Sequence, residues 1–323
     1  MYLCIRFASY GLMNKNVIIG LLLLSLCCLT ACNTGRSGGA SPLTPEQERL
    51  SHINMIDSVT LPSLLHLDSI EGIDKLESIS AEAWMLIDDN TGFVISQKYA
   101  NEPAFMASLT KMMTCLLALE NGNLSDTVMI TEDVFIARDS RVRLDDGYLM
   151  SHLIDEMMLV SDNDAAYALA KHIGGDTLTF CEMMNEKAAY LGMTNTHFAN
   201  PNGMPNFENY SSACDLVRLS RYCMRDSSFA QIVGTKEKDS PLTDGRHMPC
   251  RNTNVLLTTY DGCIGIKTGF TRQAGNCLAS AATRNGVTLY LVLLNSRSMS
   301  SRFTESAILL DYGFNVMEAY HNN

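Results

Sequence analysis

The chain has 323 residues, enough for one large domain or two modest ones, and 46% hydrophobic residues with only 8 prolines supply a sizeable core. Its formal net charge of -11 argues against a nucleic-acid partner, which selects a basic face. A polyanionic ligand is excluded in the same way, except at a locally basic site.

Lys15 and Asn16 precede an apolar run, Val17 to Leu29, which closes in Leu29-Thr30-Ala31-Cys32. A basic start, an apolar stretch and small residues before a cleavage point have the form of a secretory signal. The run is about 13 residues, short of the ~20 that span a bilayer, so processing is expected over an uncleaved anchor. Met1 to Leu12 add nothing to this signal, and Met13 serves equally well as a start. Leu-Thr-Ala-Cys is similar to the lipobox of bacterial lipoproteins. That similarity implies a lipid on Cys32 as first mature residue. It also implies a place in the cell envelope, on the outer side of the cytoplasmic membrane or in the outer membrane.

Asn33 to Pro42 is rich in Gly, Ser and Thr and reads as a flexible tether. Thr44-Pro45-Glu46-Gln47 offers an N-cap, a first-turn proline and a capping-box glutamine, with Leu50, Ile53 and Ile56 on one face of a short helix. Ser58 to Ser80 is acidic with scattered leucines and has no placement from its pattern. Trp84 to Ile87 and Gly92 to Ile95 are β-prone runs around Asp88-Asp89-Asn90-Thr91, a hairpin signal.

The next stretch is Ala107-Ser108-Leu109-Thr110-Lys111, at the head of an apolar helix expected to stop at Asn121-Gly122. Ser108 and Lys111 are three apart, which on a helix puts their Cβ atoms roughly 5–6 Å from each other. A hydroxyl beside an amine is a pair able to make a nucleophile, provided burial lowers the lysine's affinity for its proton. Alone, Ser-x-x-Lys is a weak signal, since both residues are common.

Residues 123 to about 233 read as mostly helical: Met150 to Val160, Asp164 to Ile173, Leu178 to Leu191 and Asp215 to Met224. The first two are broken at Ser161-Asp162-Asn163. By local evidence that break is a loop with a helix N-cap. Functionally it offers a second hydroxyl to relay a proton and an amide, Asn163, to orient substrate. The methionines of this region read as core filler.

Cys263 to Thr268, Asn276 to Ala282 and Val287 to Leu294 are strand-like, and Asn285-Gly286 marks a tight hairpin between the last two. Lys267-Thr268-Gly269 then lies at a strand end: a cation, a hydroxyl suited to a carboxylate, and a glycine permitting close approach. A last helix is expected over Ser301 to Tyr312, stopping at Gly313. Strands at both ends and helices between predict an α+β fold. Its core is one antiparallel sheet of about five strands flanked by helices, with an all-helical lobe inserted. After Cys32 seven cysteines remain, an odd number with no C-x-x-C, and the seven histidines show no H-E-x-x-H. Neither a metal nor a cofactor is expected.

Ser-x-x-Lys, Ser-Asp-Asn and Lys-Thr-Gly occur in that order, with spacings of 53 and 106 residues between their first members. The trio is the signature of serine β-lactamases and penicillin-binding proteins. Ala107 to Thr114 (ASLTKMMT), Ser161 to Ala170, Thr196 to Gly203, Asn252 to Leu256 and Gly265 to Thr271 resemble the D-alanyl-D-alanine carboxypeptidase family, the low-molecular-mass penicillin-binding proteins. Ala274 to Cys277 and Asp311 to Phe314 fit as well. The resemblance covers about residues 80 to 316 and implies the β-lactamase/transpeptidase-like fold. It implies Ser108 as nucleophile, Lys111 as base, Ser161 and Asn163 as relay and orienting groups, and the backbone N–H of Phe270 in an oxyanion hole. Lys267, Thr268, Gly269 and Arg302 would bind the substrate's carboxylate end. Peptidoglycan stem peptides are the implied substrates and β-lactam antibiotics the implied inhibitors.

The implied activity is a serine carboxypeptidase releasing terminal D-Ala, the nearest alternative being an endopeptidase on cross-links. A class A β-lactamase would need a glutamate in a loop after Ser-Asp-Asn, and Gly192 to Met204 contains none. A slow, lipid-anchored sensor of β-lactams or wall fragments is the non-enzymatic alternative. The expected division is signal peptide 1–31, anchor, tether and spacer 32–80, peptidase domain 81–318 and tail 319–323.

Overall fold

The computed structural model describes Thr44 and residues 70–136, 140–242 and 245–322. The chain divides into two units, Met1–Leu43 and Thr44–Asn323, and every described residue belongs to the second. The expected signal, Cys32, the tether and the Thr44–Gln47 helix start lie outside the described residues, Thr44 excepted. No helix among the described residues is long and apolar enough to cross a membrane.

A 3-10 turn, Ile73–Ser78, leads into the hairpin of β1 (Ala83–Asp88) and β2 (Val94–Lys98), paired antiparallel from Trp84↔Lys98 to Ile87↔Val94. Another 3-10 turn, Ala107–Thr110, runs into α1 (Lys111–Asn121). A small hairpin follows, β3 (Thr127–Met129) with β4 (Gly147–Leu149). Then come α2 (Met150–Asp155), a π turn (Glu156–Val160), α3 (Asn163–Gly174), α4 (Thr177–Tyr190), α5 (Ala213–Met224) and α6 (Ser227–Gly234). A second hairpin, β5 (Glu237–Pro241) and β6 (His247–Arg251), and the short α7 (Leu256–Thr259) precede β7 (Cys263–Thr271), β8 (Gly275–Arg284) and β9 (Val287–Ser296). The chain closes with α8 (Met299–His321).

The five long strands form one antiparallel sheet in the order β2-β1-β9-β8-β7, so both ends of the chain build it and the helical lobe is inserted between them. Side chains alternate across a strand. Met85 and Ile87 of β1 and Tyr290, Val292 and Leu294 of β9 enter a core shared with α1, α3 and α5. Trp84, Leu86, Leu289, Leu291 and Leu293 enter the opposite core, under α8. With both faces covered, all six residues of β1 are buried, and polar–apolar alternation disappears from its sequence.

Two glycine-centred expectations change and one holds. Helix α8 does not stop at Gly313 but runs to His321. A Cβ at Gly313 would lie 2.8 Å from Leu289 Cδ1 and 2.9 Å from Leu86 Cδ2, so the glycine brings the helix close to the sheet. Gly122 does end α1, but with extended backbone and φ of -105°; a Cβ there would meet the Met150 side chain at 2.2 Å. Lys267-Thr268-Gly269 lies within β7, which continues to Thr271 on the sheet edge, not at its end. The unplaced segment before residue 80 also acquires a role, since Ile70, Ile73 and Leu76 pack on the α8 core.

Candidate active site

Ser108 sits in the 3-10 turn ahead of α1, directly after Ala107, whose φ of +48° is in the left-handed region. A non-glycine residue there stores roughly 1–3 kcal/mol of strain and persists only where its surroundings hold it. Here they do. Thr110 Oγ1 donates to the Ala107 carbonyl at 2.9 Å, and Gly203 is wedged against that same carbonyl, 2.0 Å from where its Cβ would be. Gly203 itself has φ of +83°.

Lys111, the first residue of α1, is fully buried, and its Nζ meets three oxygens: Asn163 Oδ1 at 2.8 Å, Ser108 Oγ at 3.0 Å and Ser161 Oγ at 3.4 Å. Burial lowers the lysine's pKa from 10.5 to about 7, partly opposed by the charge of Asp162. Neutral Nζ has two N–H bonds and one lone pair. Asn163 Oδ1 can only accept, so it takes one N–H; the two hydroxyls share the rest.

The loop 161–163 divides its labour. Ser161, with φ of +69°, and Asn163 turn to Lys111. Asp162 turns away and caps α3 through Ala165 N at 3.0 Å, while Ser140 Oγ at 3.0 Å and Arg141 N at 2.7 Å also donate to its carboxylate. The N-cap reading of this loop therefore holds, on Asp162, while Ser161 and Asn163 are the residues that reach Lys111.

On the facing wall, Lys267 is 1% exposed, and among the described residues its hydrogen-bond partner is the Thr268 carbonyl at 3.3 Å. Burial, then the cations Lys111 and Arg302, push its pKa well below the ordinary value. A carboxylate set against Lys267 would oppose that lowering and favour the protonated form. Thr268 shares a 2.6 Å hydrogen bond with Thr253. A Cβ on Gly269 would lie 3.0 Å from the Met106 carbonyl and 3.2 Å from Ser108 N, so its missing side chain admits the protein's own nucleophile turn, where the sequence suggested a ligand. The Phe270 side chain is 55% exposed on the rim. Arg302 is buried on α8, and its Nη1 donates to the Gly269 carbonyl at 3.0 Å, while its Nε has no hydrogen-bond partner. It braces β7 from behind.

Sequence reasoning passed over several residues here. Thr253 and Gly203 were visible only inside stretches of family resemblance. Met204, 47% exposed, rests its Sδ 3.9 Å from Asn163 Nδ2. Ser140 and Arg141 carried no pattern at all. Among the described residues, no three His, Cys, Asp or Glu side chains are grouped to hold a metal ion.

A serine beside a buried lysine of pKa about 7, a second hydroxyl and amide on that lysine, and a lysine on the facing strand edge are groups that can support serine acyl transfer. Comparison with known proteins narrows the class. Residues 71–298 match the model of the D-alanyl-D-alanine carboxypeptidase family, and the chain belongs to that family. It is 32% identical over 247 residues to D-alanyl-D-alanine carboxypeptidase DacF of Bacillus subtilis (strain 168), covering 74% of this chain and 64% of that one. It is 31% identical over 241 residues to the D-alanyl-D-alanine endopeptidase of Escherichia coli (strain K12), covering 72% and 76%. The crystal structure of the Streptomyces K15 DD-transpeptidase superposes with a TM-score of 0.69 at 32% identity, over 73% of this chain and 97% of that one. The five-stranded fold is thus the DD-peptidase fold.

Proposed function

We propose that this chain is a serine D-alanyl-D-alanine carboxypeptidase acting on peptidoglycan stem peptides, and that β-lactams acylate the same serine. The observation that carries the reading is Lys111 Nζ, buried, of pKa about 7 and 3.0 Å from Ser108 Oγ. Ser108 Oγ attacks the carbonyl of the penultimate D-Ala as its proton passes to Lys111. The tetrahedral oxyanion lies between the backbone N–H groups of Ser108 and Phe270; one such donor is worth roughly 10²–10³ in rate. The C–N bond then breaks, and Ser161 relays the proton from Lys111 to the departing amine of D-Ala. Water enters by the reverse route and frees the acyl group. Asn163 holds Lys111 through Oδ1 and offers Nδ2 to a substrate carbonyl. Thr268 and a protonated Lys267 draw the terminal carboxylate to β7, and Arg302 holds that strand through the Gly269 carbonyl.

The relatives named carboxypeptidase, endopeptidase and transpeptidase differ in what leaves or accepts the acyl group, so the test must vary that partner. Fluorescent penicillin should label the chain, and Ser108→Ala should abolish the label. Release of D-Ala from a pentapeptide should exceed cleavage of a cross-linked dimer. Label surviving Ser108→Ala removes the nucleophile assignment, and faster dimer cleavage makes the chain an endopeptidase. For the N-terminal segment we propose lipidation at Cys32 and an envelope location. Metabolic labelling with a fatty acid, absent in Cys32→Ala, is the check.

A further inference from the structure

The loop 200–204 beside the site is held by side-chain hydrogen bonds. Asn200 Oδ1 accepts from Gly203 N at 2.7 Å, Asn200 Nδ2 donates to the Met204 carbonyl at 3.0 Å, and Asn202 Oδ1 accepts from Met204 N at 3.0 Å. Thr114 Oγ1 on α1 donates to the Pro201 carbonyl at 2.6 Å. Both backbone polar groups of Met204 are therefore committed, and only its side chain is free to move. That side chain is 47% exposed and ends with Sδ 3.9 Å from Asn163 Nδ2. In the resting site the thioether accepts from the amide nitrogen that the proposed function offers to a substrate carbonyl. A thioether is a weak acceptor, so a carbonyl displaces it at little cost.

We propose that Met204 is an oxidation site at which a peroxide switches off acylation. The inference rests on the role given above to Asn163. The thioether lone pair takes the terminal oxygen of the peroxide. A sulfur–oxygen bond forms, the oxygen–oxygen bond breaks, sulfur gives up two electrons, and water leaves once the proton has shifted. The sulfoxide oxygen is polar and a strong acceptor, and a small rotation of the exposed side chain turns it to Asn163 Nδ2, which the thioether sulfur already contacts at 3.9 Å. With the loop pinned by Asn200 and Asn202, the Asn163 amide is a donor that the new group reaches, and it competes with substrate for Nδ2. Reduction of the sulfoxide restores the thioether, so the block is reversible. Met129 and Met299, 51% and 62% exposed, have no such contact with Asn163 and serve as internal references for oxidant access.

The test treats the purified chain with hydrogen peroxide, locates added oxygen by peptide mass spectrometry, and measures the rate of fluorescent penicillin acylation. Each protein is compared with its own untreated sample, for wild type and Met204→Leu. Wild type should slow roughly fivefold to tenfold, the effect of one competing hydrogen bond, and recover after methionine sulfoxide reductase. Met204→Leu should keep its untreated rate. Three results overturn the proposal: Met204 sulfoxide with an unchanged rate, an equal loss in Met204→Leu, or Met204 left reduced while Met129 and Met299 are oxidised. A wild-type protein that takes no label before treatment overturns instead the assignment of Ser108.

Discussion

Titrating the acylation rate against pH isolates Lys111 as the base. With a pKa of about 7, half of the lysine is neutral at pH 7; an ordinary lysine at 10.5 would be neutral in about one molecule in 3000. Burial therefore supplies on the order of a thousandfold more free base at neutral pH. Below pH 7 the neutral fraction falls tenfold per unit, reaching about one in a hundred at pH 5. The acylation rate should thus rise about 50-fold from pH 5 to pH 7 and level off above pH 8. Labelling with fluorescent penicillin under single-turnover conditions measures it, with circular dichroism confirming the fold at each pH. Asp162→Asn keeps a side-chain oxygen to cap α3 but removes the charge that opposes the lowering, so the rising limb should move to lower pH. Lys111→Arg should acylate at no pH, because a guanidinium accepts no proton in this range. A rate flat between pH 5 and 7, a limb near pH 10, or an active Lys111→Arg refutes the assignment of Lys111.

The same burial has a stability signature. Between pH 7 and 10.5 the unfolded chain protonates Lys111 and the fold does not, so this group makes stability rise with pH there. Its slope is up to about 1.4 kcal/mol per unit, and it contributes no slope below pH 7, where both states are protonated. Urea melts of wild type against Lys111→Met should show a stability difference that moves in favour of wild type as pH climbs through that window; a constant difference contradicts it. Gly203→Ala combines a left-handed φ with a Cβ 2.0 Å from the Ala107 carbonyl, and should cost about 2–4 kcal/mol in thermal melts while slowing acylation. Gly313→Val should destabilise by about 1–3 kcal/mol through overpacking against Leu86 and Leu289, with little effect on the acylation rate of the folded fraction.

How far the sequence reveals this molecule depends on whether a residue acts locally. The hairpin β1–β2, the helix after Ser108 and the Asn285-Gly286 turn were legible because each is set by neighbours in the chain. The hairpins β3–β4 and β5–β6 were not, being short and without a sustained period. Gly313 was misread for a physical reason: a glycine after an apolar period signals a stop, yet here its lost side chain is used by a sheet whose strands lie more than two hundred residues away at Leu86 and much nearer at Leu289.

The site shows the same division more sharply. Ser108 and Lys111 could be paired from spacing alone, but the property that makes them chemistry is burial, and burial comes from partners distant in sequence. Asn163 and Ser161 arrive on Lys111 from fifty residues away, and Gly269 closes on Met106 and Ser108 from the far edge of the sheet. The strained turn at Ala107 is in turn held by Gly203 and, through Thr110, by Asn209. Local pattern therefore identifies which groups can react, while the three-dimensional packing decides their protonation. That is why Lys267, read as a cation at a strand end, and Arg302, to which the resemblance gave a carboxylate role, are both found buried, one with its pKa lowered and the other bonded to the Gly269 carbonyl. A carboxylate arriving at β7 would oppose the lowering of the Lys267 pKa, so its binding and the protonation of Lys267 favour each other.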